Sequence, residues 1–269
     1  MPNLSSIYAY PLKSGAAVSH PSSVVQRRGL VTDRRFMVIG ADNKFVTGRQ
    51  QPRMTLVRVL ADKDRSTFEA PGMPVLEIVH PVAGERVDTA VWDVAVQPLL
   101  APAHANAWIS TFLGMDCRIV YMDENCIRAV KSQYDGRYGR DDDVTSLADA
   151  FPLLLVTQSS LDVLNSKLAA PVPVLRFRPN LVVDGTLPHA EDGWKRIRIG
   201  TTEFELMKPC VRCVFLTVDT VHGAFDPTRE PLRTLLTYRR TPDGVTFGQY
   251  LVPRRLGVVH VGDAVDVLA

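Results

Sequence analysis

Hydrophobic positions in the first 120 residues fall in short runs of β-prone residues rather than at helical spacing. Arg35-Phe36-Met37-Val38-Ile39 and Lys44-Phe45-Val46-Thr47 flank Gly40-Ala41-Asp42-Asn43, which predicts a hairpin. Residues 55–60, 74–79 and 89–96 form further apolar or alternating runs, separated by Gly, Pro and Asp. Across residues 103–113 the period changes. Trp108, Ile109, Phe112 and Leu113 share one face, which predicts a helix ended by Gly114. Residues 132–146 are polar and charged, from Gln133-Tyr134-Asp135-Gly136-Arg137 to Arg140 and Asp141–Asp143; they predict a long surface loop, with the aspartates as a solvated charge run.

Beyond that loop, the apolar run 153–157 predicts a strand leading into a helix over 160–168, where Leu161, Leu164 and Leu168 share a face and Ser159 with Asp162 suits an N-terminal cap. Strands are expected at 181–183, 196–199 and 204–207, the last two joined by Gly200-Thr201-Thr202. Another strand is expected at 213–218, then a short helix at 231–238 with Thr228 as cap and Pro231 in its first turn. Residues 249–252 and 257–268 complete the strands, the last broken at Gly262-Asp263. Strands outnumber helices, so a mixed α/β, β-rich architecture is expected rather than a doubly wound sheet.

A chain of 269 residues with 46% hydrophobic and 22% charged residues buries a real core. A net charge of +2 gives no bulk argument for nucleic acid or a membrane surface, and no eighteen-residue apolar run is present. Met1-Pro2-Asn3-Leu4-Ser5-Ser6 lacks the basic-then-apolar layout of a secretion signal, so a cytoplasmic location is the expectation. Gly-rich phosphate loops, Gly-x-Ser-x-Gly and His-Glu-x-x-His are absent, and the six histidines are scattered.

Cys117 and Cys126 sit by apolar stretches and read as packing residues. Lys208-Pro209-Cys210-Val211-Arg212-Cys213 is the sharpest local feature: a thiol beside a guanidinium, which favours thiolate for a metal, a persulfide or disulfide exchange. Two inert buried cysteines remain the alternative. A thioredoxin-like role is disfavoured, because that motif opens a helix whereas this one leads into Val214–Val218.

This segment, with Thr217-Val218-Asp219, Arg176-Phe177-Arg178-Pro179-Asn180 upstream and Phe247-Gly248-Gln249-Tyr250 downstream, resembles the signature of the MOSC domain. Tyr10-Pro11-Leu12-Lys13-Ser14, Asp33-Arg34-Arg35-Phe36 and Thr47-Gly48-Arg49-Gln50 resemble the β-barrel domain that accompanies it. The resemblance covers nearly the whole chain and is greatest to the amidoxime-reducing branch of the family. It implies an N-terminal β-barrel-like domain at 1–122 packed on a MOSC β-barrel domain at 123–269, with a few helices. It also implies a molybdenum cofactor (a molybdopterin) between them. On that match Cys213 is the molybdenum ligand and catalytic residue. Lys13, Ser14, Arg34, Arg178, Asn180, Val211, Arg212 and Tyr250 hold the cofactor, with Thr157 and Ser160 as further hydroxyl contacts. Val211 stands where relatives often carry Ser. Asp192 and Asp219 carry less weight. Pyridoxal phosphate binding is a further description associated with the family.

Arg and Lys suit a dianionic phosphate, and Asn suits the amide-like pterin edge. The resulting expectation is a monomeric reductase of N-hydroxylated small molecules such as amidoximes, hydroxylamines or N-hydroxylated bases. It would draw electrons from an external ferredoxin, flavin reductase or cytochrome-type protein. A cofactor carrier or sulfur-transfer module with a persulfide on Cys213 is the alternative, and a zinc or iron structural protein a third. No residue is identifiable as the proton donor.

Overall fold

The computed structural model describes residues 1–130 and 138–269. Among them the largest sheet has nine strands. Its path runs Val18–His20, Asn3–Ala9, Leu181–Asp184, Leu153–Thr157, Gly244–Arg255, Thr202–Val211, Arg196–Ile199 and Val265–Val267; Arg240–Thr241 pairs onto Gly244–Arg255 off that path. Leu153–Thr157 and Leu181–Asp184 are parallel neighbours connected through helix α2, Gln158–Asn165, and the other pairs on this path are antiparallel. One face of this sheet buries Leu4, Ile7, Leu155, Val183, Ile197, Phe204 and Leu251.

A second core lies in the N-terminal part, around Phe36, Phe68, Trp108, Ile109 and Phe112. Helix α1, Ala103–Leu113, supplies the last three. It ends as expected at Gly114, which takes the left-handed conformation (φ 67°) and donates its N–H to Ser110 O at 2.9 Å. Two three-stranded ribbons, Leu99–Leu100 with Cys117–Tyr121 and Phe36–Gly40, and Arg58–Ala61 with Arg65–Glu69 and Leu76–Val79, surround this core, and the chain is a β-rich mixed α/β protein. The N-terminal strands also cross to the C-terminal half: Asn3–Ala9 pairs with Leu181–Asp184, and Ser22–Gln26 pairs with Gly257–His260. These crossings bring residues 10–14 and 33–34 against residues 176–180.

Several expectations are corrected. Residues 213–218 are not a strand: Val214–Thr217 is a 3-10 turn, followed by the two-residue strand Val218–Asp219. The second arm at 44–47 is reduced to an Ile39–Phe45 bridge, although Val46 N still donates to Val38 O at 2.8 Å. Helix α2 starts two residues before its expected start, and Ser159 does not cap it; Ser159 Oγ instead meets Thr186 Oγ1 at 2.9 Å. Helix α3, Leu232–Tyr238, has its first turn bonded by Glu230, whose Oε2 accepts from Thr234 N at 3.0 Å, rather than by Thr228. Residues 132–137 of the expected loop lie outside the described residues. Of the aspartate run, Asp142 is exposed but Asp143 is buried, because its carboxylate accepts from Arg254 Nη1 and Nη2 at 2.5 and 2.9 Å.

Candidate cofactor cleft

A cleft of about 770 Å³, counting space open to solvent, lies where residues 10–14, 33–34, 147–154, 176–180 and 210–216 converge. Its organising group is Asp33, which is fully buried. Asp33 Oδ1 accepts from Tyr10 N (2.9 Å), Asn180 Nδ2 (3.0 Å) and Arg34 Nη1 (2.8 Å), and Arg34 Nη1 also reaches Oδ2 at 2.7 Å. Burial raises the Asp33 carboxyl, while Arg34 opposes the shift. Asn180 Oδ1 accepts from Leu154 N (3.2 Å) and Arg34 Nη1 (3.1 Å), and its Nδ2 also donates to Tyr8 O at 3.1 Å. The Asn180 amide therefore knits the N-terminal segment to the large sheet. The Tyr10 ring lies between two guanidinium groups, Arg34 at 4.3 Å and Arg178 at 4.2 Å.

Ser14, Arg34 and Arg178 all have positive φ (66°, 47° and 56°). Left-handed backbone at a non-glycine residue is strained by roughly 1–3 kcal/mol, and such residues cluster at binding sites. Arg178 Nη1 donates to Gly15 O at 2.8 Å, while its Nη2 is buried and meets no acceptor among the described residues. Arg176 is likewise buried on the cleft wall with Nη1 unsatisfied; its Nη2 is 3.7 Å from Asp226 Oδ2. Burial, then the neighbouring Arg34, lowers Arg178 to about 10. Each of these guanidinium groups thus has one buried nitrogen without an acceptor among the described residues, a donor arrangement that suits an anion.

Lys13 Nζ adds a third cation. It donates to Leu147 O at 2.8 Å and to Asp149 Oδ1 at 2.5 Å. Burial lowers Lys13 to about 8; burial would raise Asp149, but the Lys13 ammonium outweighs it and holds that carboxyl at about 2. Ser14 Oγ accepts from Gly48 N at 3.0 Å, which fixes the neighbouring turn.

The cysteine pair divides between two environments. Strand Thr202–Val211 ends inside the motif, and Arg212 then pins the chain by donating Nε and Nη2 to Phe247 O (2.9 and 2.6 Å) and Nη1 to Phe177 O (2.9 Å). The guanidinium expected to face a thiolate is thus occupied by backbone carbonyls, and it shapes the turn. Cys210, on the strand, is buried, and burial pushes its thiol up. Cys213, at the head of the 3-10 turn, is exposed. Both line the cleft, as do Val211 on its rim and Tyr250 beside Phe151 (5.1 Å between centroids).

Nine of the eleven expected site residues line this cleft: Lys13, Ser14, Arg34, Arg178, Asn180, Val211, Arg212, Cys213 and Tyr250. Thr157 and Ser160 are elsewhere, fully buried, with their hydroxyls on the buried Glu191 carboxylate at 2.9 Å and at 2.8 and 3.0 Å. Asp192 is taken by Arg239 (2.6 and 3.0 Å) and Asp219 by His222 (2.6 Å). Sequence reasoning missed Arg176, Tyr10, Asp33 and Asp149. The last had a signal, a lone acid within the apolar run Leu147-Ala148-Asp149-Ala150-Phe151. Among the described residues no three His, Cys, Asp or Glu side chains cluster to hold a metal, so a zinc-type donor set is missing there. No helix among the described residues is long and apolar enough to cross a membrane.

Residues 142–266 match the model of the MOSC domain, and residues 1–116 that of the MOSC N-terminal beta barrel domain. The chain is 36% identical to mitochondrial amidoxime-reducing component 1 of Danio rerio over 96% of its own length and 82% of the relative's. It is 31% identical to the human protein of that name, over 97% and 82%. Among solved structures, the YuaD protein of Bacillus subtilis aligns over 98% of this chain and 94% of its own, with 11% identity and a TM-score of 0.46. The curated relatives are named mitochondrial, which overturns the expectation of a cytoplasmic location. That expectation rested on missing leader and span signals, and such absences do not locate a protein.

Proposed function

Since the chain belongs to the MOSC family, in the branch of the amidoxime-reducing components, we propose that it is a molybdenum-cofactor oxidoreductase that reduces N-hydroxylated compounds. The observation that carries this reading is the cleft's incomplete chemistry: an exposed Cys213 in a cleft also lined by Arg176 and Arg178, each with one buried nitrogen that meets no acceptor among the described residues. A pterin phosphate supplies the missing acceptors, and a soft thiolate suits molybdenum. The cofactor, when bound, supplies a metal that changes oxidation state as oxygen leaves nitrogen. Cys213 Sγ holds that metal; Arg176, Arg178 and Lys13 hold the anionic end. Asn180 and Asp33 keep Arg34 in place, and Arg212 sets the direction of the cysteine turn. On this reading the chain divides near residue 122, with the cofactor between the two parts.

The reaction consumes two electrons and two protons and leaves amine or amidine plus water. Nothing in the sequence resembles a dinucleotide fingerprint, and Cys117, Cys126 and Cys210 are all buried, so electrons come from an external redox protein. Pyridoxal phosphate has no part in the scheme. The test is to produce the protein in a host competent for the cofactor and measure metal, pterin and turnover. Near-equimolar molybdenum and pterin are expected, with benzamidoxime reduced when a reduced dye is the donor and not with NADH alone. A pterin-free preparation from such a host rejects the proposal, and loaded protein that reduces no N-hydroxylated compound returns the carrier reading.

Anion binding should also depend on pH. Lys13 carries its charge below about 8 and loses it above. Affinity of the cofactor-free protein for inorganic phosphate, measured by calorimetry, should therefore fall as pH rises through that value. A bound anion stabilises the charged form and moves the loss upward in the loaded protein. Affinity that stays flat from pH 7 to 9.5 removes Lys13 from the anion site.

A further inference from the structure

A second hollow, of about 1350 Å³ counting open space, backs onto the cleft. The turn Thr47-Gly48-Arg49 stands between them: Thr47 and Arg49 line the hollow, and Gly48 touches the cleft-lining Ser14 and Phe215. On the cleft side Gly48 N bonds Ser14 Oγ at 3.0 Å, and Gly48 lies so close to Phe215, two residues from Cys213, that a Cβ there would sit 2.3 Å from the ring. On the other side Phe45, Arg49 and Trp92 line the hollow. Lys13 Nζ reaches to 5.4 Å from the Phe45 ring centroid, and Arg49 is near enough to Asp149 to help hold its carboxyl down.

The hollow is built around an exposed indole. Trp92 stands edge-on to Phe45 (5.1 Å, 82°), with the Arg49 guanidinium 4.5 Å from its ring centroid. It is the first of two residues joining strands Thr89–Val91 and Val94–Val96, and its φ is 56°. That position favours Gly or Asn, and a bulky aromatic is strained there. With 43% of its surface exposed, Trp92 does not recover that strain by burial. The sequence thus holds a large flat ring in an unfavourable backbone conformation on the wall of the hollow, where it packs on Phe45, whose ring lies 5.4 Å from the cleft-lining Lys13. Asp42, Lys44, Arg49 and Asp88 put both signs of charge on the rim, so the hollow selects by shape more than by charge.

We propose that the Trp92–Phe45–Arg49 hollow is the substrate subsite that takes the planar aromatic ring of an N-hydroxylated compound. The inference rests on the function proposed above and assigns the part of the substrate remote from nitrogen. Trp92→Asn tests it, because Asn accepts positive φ and keeps the turn. Wild type, Trp92→Asn and Trp92→Phe are compared on benzamidoxime and on hydroxylamine, which has no ring, at matched molybdenum content. The KM ratio of benzamidoxime to hydroxylamine should rise roughly three- to tenfold in Trp92→Asn, as expected for a lost ring stack, and less in Trp92→Phe. A ratio equal to wild type, or both KM values rising together, overturns the proposal. If the wild type reduces neither compound, the reductase reading has failed and the subsite is judged by binding alone. Quenching of tryptophan fluorescence by benzamidoxime should then be saturable in the wild type and weaker in Trp92→Asn; equal titrations in the two overturn it.

Discussion

Cys213→Ser should yield a folded protein with near-normal thermal stability and reduction of benzamidoxime lowered by at least about 100-fold, because a hard, poorly ionised hydroxyl replaces a soft thiolate at the metal. The side chain is exposed at the head of a turn whose shape is held by Arg212 through the Phe247 and Phe177 carbonyls, so the fold does not depend on the sulfur. Cys210→Ser should do the reverse. That thiol is buried on the strand, and a hydroxyl there costs about 1–3 kcal/mol of stability unless it finds a partner. Molybdenum content and most turnover should survive. The same asymmetry should appear without any cofactor, as alkylation of native protein by iodoacetamide at Cys213 well before Cys210, read by peptide mass. An inactive Cys210→Ser beside an active Cys213→Ser reverses the assignment, and loss in both points to a shared dithiol.

The two cysteines illustrate what the sequence reveals and what it hides. Spacing of three predicts opposite faces for an extended segment, and the structure separates the thiols, but by another route: the strand ends at Val211 and the chain turns. Val214-Phe215-Leu216-Thr217 is as β-prone as any strand here. It is turned by Arg212, whose acceptors lie 35 residues away on either side, a constraint no local pattern carries. Helix α1 was legible because its apolar face and terminating glycine are local. Strand Asn3–Ala9 was not, because a register shift between Leu4 and Ser6 breaks its alternation. Asp143 looked like its two neighbours until Arg254 came beside it from 111 residues away.

The site follows the same division. Its residues were placed by resemblance, since Lys13 or Arg34 alone is indistinguishable from a surface charge. The hydroxyls of Thr157 and Ser160 suggested a cap or a cofactor contact, and the structure gives them to Glu191, a carboxylate buried by tertiary contacts. Trp92 looked like one apolar residue in the run 89–96; its exposure and its φ exist only in three dimensions.

Arg34 should prove to be a folding residue as well as a binding one. Its guanidinium is the cation on Asp33, which has no exposed surface, and it also donates to the Asn180 side chain and the Arg178 carbonyl. Removing one partner of a buried ion pair strands the other, at about 3–5 kcal/mol. Arg34→Ala should therefore melt roughly 10 °C below wild type, given about 2–4 °C per kcal/mol for a chain of this size. Arg34→Glu should fare worse, with two carboxylates facing each other at the junction of the N-terminal segment and the large sheet. Lys13→Met is the comparison. Its partner Asp149 keeps 58% of its side chain exposed and can rehydrate, so the melting temperature should change little while pterin content falls. Adding Asp33→Asn to Arg34→Ala removes the stranded charge and should restore much of the melting temperature without restoring cofactor. If Arg34→Ala melts like wild type, Asp33 is not held by Arg34 as drawn. If the double variant regains full pterin content, Arg34 acts on the cofactor only by keeping the fold.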